Sequence, residues 1–230
     1  MGVSRWSRPV SAEGSRRFGR YTTGAWAYDL LALEWPIYRA GRRAGIGLLR
    51  LRPGDRVLDI GCGTGLNFEP LNAVVGATGT IIGLDVNAPM LARAHARTRR
   101  HDWVNVRLVR ADAGRCDLAG LVGAGAVDAV LFTYALSVIE DGPAAWASAL
   151  PVVRPGGRLA VVDLALPTGR AAVLAPAARL ACLAGGARLG RQPWRWVARD
   201  TGEVEQRSLR AGHIRVAAGT APERPDRPFA

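Results

Sequence analysis

The sequence predicts an α/β domain: a doubly wound, mainly parallel sheet of seven strands with helices on both faces. Three observations carry this. Across residues 51–166, apolar runs of strand length alternate with longer segments of helical period, the pattern of right-handed strand–helix–strand units. The run Val57-Leu58-Asp59-Ile60 breaks into Gly61, Gly63 and Gly65, which reads as a buried strand entering a tight turn. Asp59, Asp85 and Asp112 stand at or just past the ends of three successive predicted strands, where open sheets collect ligands.

Residues 1–20 are Arg-rich and broken by Gly and Pro, and read as a mobile basic arm. Residues 21–218 form one domain. Its first part, 21–50, is helical: Trp26, Leu30, Leu33 and Ile37 have helical spacing around Pro36, and Arg39 to Leu51 continues as a second helix. Arg52-Pro53-Gly54-Asp55 turns into the first strand of the 51–166 core. A helix follows over Asn67–Val75, then a strand over Thr80–Asp85. The next helix spans Pro89–Arg100, with Asn87 as N-cap and Pro89 in its first turn. Val104–Val109 is the third strand. Ala126–Thr133 is the fourth, and its unbroken apolar character suits a parallel strand covered on both faces. A helix over Pro143–Val153 stops at Arg154-Pro155-Gly156-Gly157, and Leu159–Asp163 is the fifth strand. Residues 167–200 read as a helical and Trp-Arg insertion, helical over 169–187 with Gln192-Pro193-Trp194-Arg195-Trp196 following as a separate run. Val204–Arg210 and His213–Ala218 supply the last two strands, and residues 219–230, with three prolines, a disordered tail.

A hydrophobic fraction of 49% supports a globular chain with a substantial core. No apolar run reaches the roughly 18–20 uncharged residues of a membrane span. The arginines at 5, 8, 16, 17 and 20 flank no apolar signal core, so a cytoplasmic protein is expected. Cys62, Cys116 and Cys182 are scattered without a CxxC pair and read as reduced thiols, not as a metal site. The net charge of +12 comes from arginine alone and would draw the protein to anionic surfaces.

The glycine turn restricts its own ligand. A phosphate would be repelled by Asp59, so this end suits a neutral or cationic group. The dinucleotide fingerprint G-x-G-x-x-G places its third glycine on Leu66, and a P-loop needs a lysine that the chain lacks entirely. The pattern hydrophobic-Asp-x-Gly-x-Gly-x-Gly, with Pro155-Gly156-Gly157 before strand five, resembles the class I S-adenosylmethionine-dependent methyltransferases over about residues 50–165. The resemblance implies a Rossmann-like fold, the cofactor S-adenosylmethionine, and a transferase. It implies that Asp59 faces the methionine end and that Asp112 accepts from the adenine amino group, with an N–H of Ala113 on the ring. Asp85, about twenty residues after Gly65, accepts from the ribose hydroxyls. Val86 and Met90 pad the adenine. Cys62, Asn67 and Thr133 join Gly61, Gly63 and Gly65 in the cofactor-binding set.

The acceptor is less determined. Phe132-Thr133-Tyr134-Ala135-Leu136-Ser137-Val138-Ile139 should line its site, and it is not the Asn/Asp-Pro-Pro-Tyr/Phe of amino-methylating nucleic-acid enzymes, so no nucleic-acid partner is expected. With Tyr28-Asp29, Tyr38-Arg39-x-Gly-Arg42-Arg43 and Gly65-Leu66-Asn67, it resembles the bacterial soluble-type phosphatidylethanolamine N-methyltransferases, which share fold and first motif with the ubiquinone/menaquinone C-methyltransferases. The expectation is methyl transfer to a small or lipid-associated acceptor, first a phospholipid amine. Quinone or polyketide C- or O-methylation, and a non-catalytic cofactor- or RNA-binding protein, are the alternatives. Tyr134 is the acceptor-side candidate, its ring facing an amine that gains charge. Tyr21, Trp26 and Tyr28 would form a lid. His213 opens the last strand and reads as structural. Residues 169–196, an Ala/Leu helix edged by arginines, either cover the sheet or make peripheral contact with an anionic membrane surface on its inner face.

Overall fold

A computed structural model describes residues 38–122, 127–184 and 187–223. The basic arm, Tyr21, Trp26, Tyr28 and most of the 21–50 helical region lie outside them. Helix α1 (Arg39–Leu48) leads into β1 (Arg56–Ile60), α2 (Phe68–Val75), β2 (Thr80–Asp85), α3 (Ala88–Arg100), β3 (Val106–Arg110), α4 (Leu118–Val122), β4 (Val127–Thr133) and α5 (Gly142–Ala149). After β5 (Val153–Leu164) come a 3-10 segment (Gly169–Leu174), α6 (Ala175–Ala184), α7 (Trp194–Asp200), β6 (Gly202–Leu209) and β7 (Ile214–Thr220).

The strands form one sheet in the order β3-β2-β1-β4-β5-β7-β6. β1 to β5 are parallel, and β7 runs antiparallel between β5 and β6. Alternation along each strand feeds two cores. Leu58, Ile60, Val130, Phe132, Leu159 and Val161 face α4, α5 and α7. Val57, Ala129, Leu131, Ala160 and Val162 face α1, α2 and α3. With both faces covered, β4 is almost wholly buried, as its apolar run requires. Each fully buried side chain of the size of Phe132 stabilises the fold by about 1.5–3 kcal/mol.

The Asn87 cap forms as its position predicts: its side chain accepts from the Met90 N–H at 3.1 Å, with Pro89 in the first turn. Several boundaries differ from the sequence expectation, three of them with consequences for the fold. β5 begins at Val153 and not at Leu159, because Val127 pairs with Val153 while Ala129 pairs with Arg158; Arg154–Gly157 bulges out of register between them. Residues 194–200 fold as a short helix that the sequence did not announce. β7 reaches Thr220, so the expected tail starts too early at 219; residues 224–230 lie outside the described part.

Candidate active site

The glycine turn leaves the centre of the sheet, where β1 lies between β2 and β4. Gly61, Gly63 and Gly65 have φ of 71°, 56° and 78°, the left-handed region that L side chains avoid. Each has a separate reason to be glycine. A methyl at Gly61 would stand 2.5 Å from the Ala135 methyl, and one at Gly65 2.6 Å from the Phe68 ring. At Gly63 it would meet nothing within 4 Å. The outer two glycines are thus demanded by packing, and the middle one leaves its face open to a ligand.

The Asp85 carboxylate organises that open face. Its Oδ2 accepts the Gly63 N–H at 2.9 Å and its Oδ1 the Asn87 N–H at 2.8 Å. Burial raises its pKa, opposed by those backbone bonds. Each oxygen keeps a lone pair, so two ligand hydroxyls can be met as well. Asp112 lies next along the crevice: Ala111 N–H donates to the Asp85 carbonyl at 3.2 Å, and Asp112 Oδ1 accepts the Gly114 N–H at 3.0 Å. Arg115 stands 3.7 Å from its other oxygen. Ala113 is buried and its carbonyl accepts from Ser148 Oγ. Met90 is buried, and Val86 keeps 38% of its surface exposed, an apolar wall without a protein cover.

Asp59 lies in β1, one residue before its end. It is fully buried, and Asn67 Nδ2 donates to both its oxygens at 2.9 and 3.1 Å and to Thr133 Oγ1 at 3.2 Å. Arg42 Nη1 donates to Asn67 Oδ1 at 3.1 Å. Asp59 therefore reaches the crevice through Asn67 and through its field, not by contact. Desolvation by burial pushes its pKa from 3.8 to about 7, against the Asn67 bond and the Arg42 charge. Cys62 is buried and its thiol is held well above the usual range by the same burial.

A carboxyl whose folded pKa is raised favours the folded state below its unfolded value and loses that advantage as pH rises to the folded value. Asp59→Asn should therefore gain stability relative to the native protein from about pH 4 to about pH 7, and no further above it. Denaturant midpoints measured across that range check this; a pH-independent difference would refute it.

On the acceptor side, Tyr134 ends β4 with φ of 54°, a costly conformation for an aromatic residue. Its hydroxyl donates to the Tyr38 carbonyl at 2.9 Å, and the two rings meet edge to face at 5.2 Å. A methyl at Gly41 would collide with that hydroxyl, so α1 approaches here because it carries glycine. The Arg42 guanidinium lies 5.4 Å from the Tyr134 ring centroid. Arg42 thus stands over the ring that the sequence reading offered to an acceptor amine.

Three residues of this region were not singled out from sequence. Asp163, fully buried, accepts from Ser137 Oγ and N–H at 2.6 and 2.9 Å and so anchors the loop after β4; burial lifts its pKa to about 6. Arg191 donates to the carbonyls of Leu136, Ile139 and Glu140, and Arg188 to that of Glu140. Asp163 repeats the strand-end acid pattern and was findable on that ground. The arginines carry no local signal. His213 Nδ1 sits 2.7 Å from the Ala165 carbonyl, and His101 stacks on Trp103 beyond α3.

The sheet order, the three left-handed glycines and the acids at successive strand ends are those that the resemblance to class I S-adenosylmethionine-dependent methyltransferases implies, and the Asp85 lone pairs suit the ribose hydroxyls of that cofactor. Residues 57–157 match the family described as a methyltransferase domain. The chain is 34% identical over 146 residues to the ubiquinone/menaquinone biosynthesis C-methyltransferase of Stutzerimonas stutzeri, covering 62% of this chain and 56% of that one. It thus spans little more than half the length of such curated relatives. Two solved structures share the fold alone. Phosphoethanolamine N-methyltransferase 2 of Haemonchus contortus, solved with S-adenosyl-L-methionine, has a TM-score of 0.69 at 15% identity, covering 90% of this chain and 59% of that one. An O-methyltransferase family protein of Burkholderia thailandensis has a TM-score of 0.64 at 20% identity, over 86% and 59%.

Proposed function

We propose that the chain transfers a methyl group from S-adenosylmethionine to a ring carbon of an oxygen-bearing aromatic acceptor of the quinol type. The observation that carries this reading is the placement of Arg42 between the Tyr134 ring and Asn67. A phenol beside a guanidinium gives up its proton more readily, and the phenolate passes electron density to the ring carbon that attacks. An amine acceptor becomes cationic as it is methylated, and a like charge roughly 5 Å away near a protein surface costs about 3 kcal/mol. The amine reading favoured by sequence is weakened accordingly. The likeness to curated C-methyltransferases points the same way.

When bound, the cofactor supplies an already activated methyl on cationic sulfur, so the chain's task is positioning and exclusion of water. Asp85, oriented by the Gly63 and Asn87 N–H groups, would hold the nucleoside end. Asp59, through Asn67, gives the sulfur end a negative field. Arg42 would hold the acceptor oxygen beside the Tyr134 and Tyr38 rings. The ring proton displaced on methylation would pass to water.

Incubation with methyl-labelled cofactor, a demethylated hydroquinone and phosphatidylethanolamine vesicles tests this: label is expected in the hydroquinone, and label confined to the lipid amine overturns the reading. Arg42→Gln should lower turnover of the ring acceptor by about tenfold to a hundredfold, the worth of one charged hydrogen bond. Its pH–rate profile should shift upward as phenol ionisation becomes harder. If Arg42→Gln speeds turnover instead, the acceptor is cationic.

A further inference from the structure

A cleft of about 880 Å³ lies beyond the carboxyl end of β5, between α6, α7 and the β6–β7 edge, and the cofactor crevice does not use it. Three guanidinium groups, Arg179, Arg195 and Arg215, line it together with neutral residues. Arg215 Nε is buried and has no hydrogen-bond partner. The register neighbour of Arg215 on β5 is Asp163, whose oxygens are taken by Ser137 and Leu164. The lining residues include three guanidinium groups and no carboxylate, so an anion there meets several cations and supplies the acceptor that Arg215 Nε lacks.

The rest of the wall is apolar: Leu166, Leu189 and the Trp194 ring. An amphiphile suits such a mixed lining better than a bare ion does. On the segment that brings Arg179 to the cleft, Val173 and Leu180 leave 80% and 71% of their surface exposed. Large exposed apolar side chains beside arginines are the composition of an interfacial element.

We propose that this cleft binds the anionic headgroup of a phospholipid, with Arg179, Arg195 and Arg215 on the phosphate oxygens and Val173 and Leu180 entering the acyl layer. The proposal holds whichever acceptor is methylated. It seats residues 169–200 on the membrane surface, on the strand-end side of the sheet where the acceptor loop also lies.

The test is co-sedimentation of the full chain with phosphatidylcholine vesicles containing phosphatidylglycerol, at fixed ionic strength. Arg179→Gln/Arg195→Gln should weaken vesicle partition by about tenfold to thirtyfold, since each cation near an anionic leaflet contributes separately. Val173→Ser/Leu180→Ser should also weaken it. Arg99→Gln/Arg100→Gln, which removes the same charge from the exposed end of α3, should stay within about twofold. Calorimetric cofactor affinity should be unchanged in every variant, so loss of lipid binding stays distinct from failure of the methyl-transfer reading. Equal loss in the α3 control, or no loss in the cleft variant, overturns the site. So does stabilisation by inorganic phosphate without vesicle binding, which would identify a soluble phosphate as the ligand.

Discussion

Asp85→Ala is expected to weaken S-adenosylmethionine binding by about a hundredfold to ten-thousandfold while leaving the chain folded. The carboxylate has two tasks. It holds the Gly63 and Asn87 N–H groups, which sets the glycine turn against the start of α3, and it offers its remaining lone pairs to the ribose. Alanine removes both and leaves two backbone donors unpaired. Charged hydrogen bonds contribute about 1.5–3 kcal/mol each, and two ribose contacts give the range above. Folding should suffer little, because burial already penalises the ionised carboxylate. Asp85→Asn keeps one acceptor and should fall between the two. Titration calorimetry decides, and an unchanged dissociation constant for Asp85→Ala would remove Asp85 from the cofactor site.

Trp146→Ala should have the largest effect on stability, a loss of about 3–5 kcal/mol. Trp146 on α5 is 1% exposed, packs at 6.0 Å from the Phe132 ring, and donates from Nε1 to Asp200 Oδ2 at 2.7 Å. The side chain therefore joins the sheet, α5 and the end of α7. Its removal opens a cavity under β4 that rigid neighbours cannot close. Asp200 keeps Arg199 as partner, so the loss is one of packing more than of an orphaned charge. For a chain of this size the melting temperature should drop on the order of 10 °C. Trp146→Phe should lose roughly a third of that. A drop of only a degree or two in Trp146→Ala would mean that α5 and α7 are not held through this contact.

Most of the sheet was legible in the sequence because its strands are buried on both faces and must be apolar throughout. β2 runs over Thr80–Asp85 as expected, and α3 begins at the expected cap. α7 was missed for a physical reason: seven residues give two turns, and in Trp-Arg-Trp-Val-Ala-Arg-Asp only Val197 is fully buried, too little for a helical period to stand out. The bulge in β5 was read as a turn because proline and two glycines look alike in both. At the site, Asp59, Asp85 and Asp112 could be found because strand ends mark them. Arg42 acts on Asn67 across 25 positions, and Arg191 on Leu136 across 55, and no local pattern announces contacts of that span. The sequence could not tell which cation stands over Tyr134.

The two halves of the crevice are held by different kinds of bond. On the cofactor side, Asp85 and Asp112 grip main-chain N–H groups of Gly63, Asn87 and Gly114, donors that every residue but proline provides. On the acceptor side, the loop after β4 is held at Ser137 by Asp163 and over Leu136–Glu140 by two guanidinium side chains, Arg188 and Arg191. A change at Arg191 can therefore loosen Leu136–Glu140 while Asp163 still holds Ser137, and most changes within the glycine turn itself leave its main-chain donors in place. Retuning this scaffold toward a new acceptor should begin at residues 187–192, with the methyl donor's berth inherited intact.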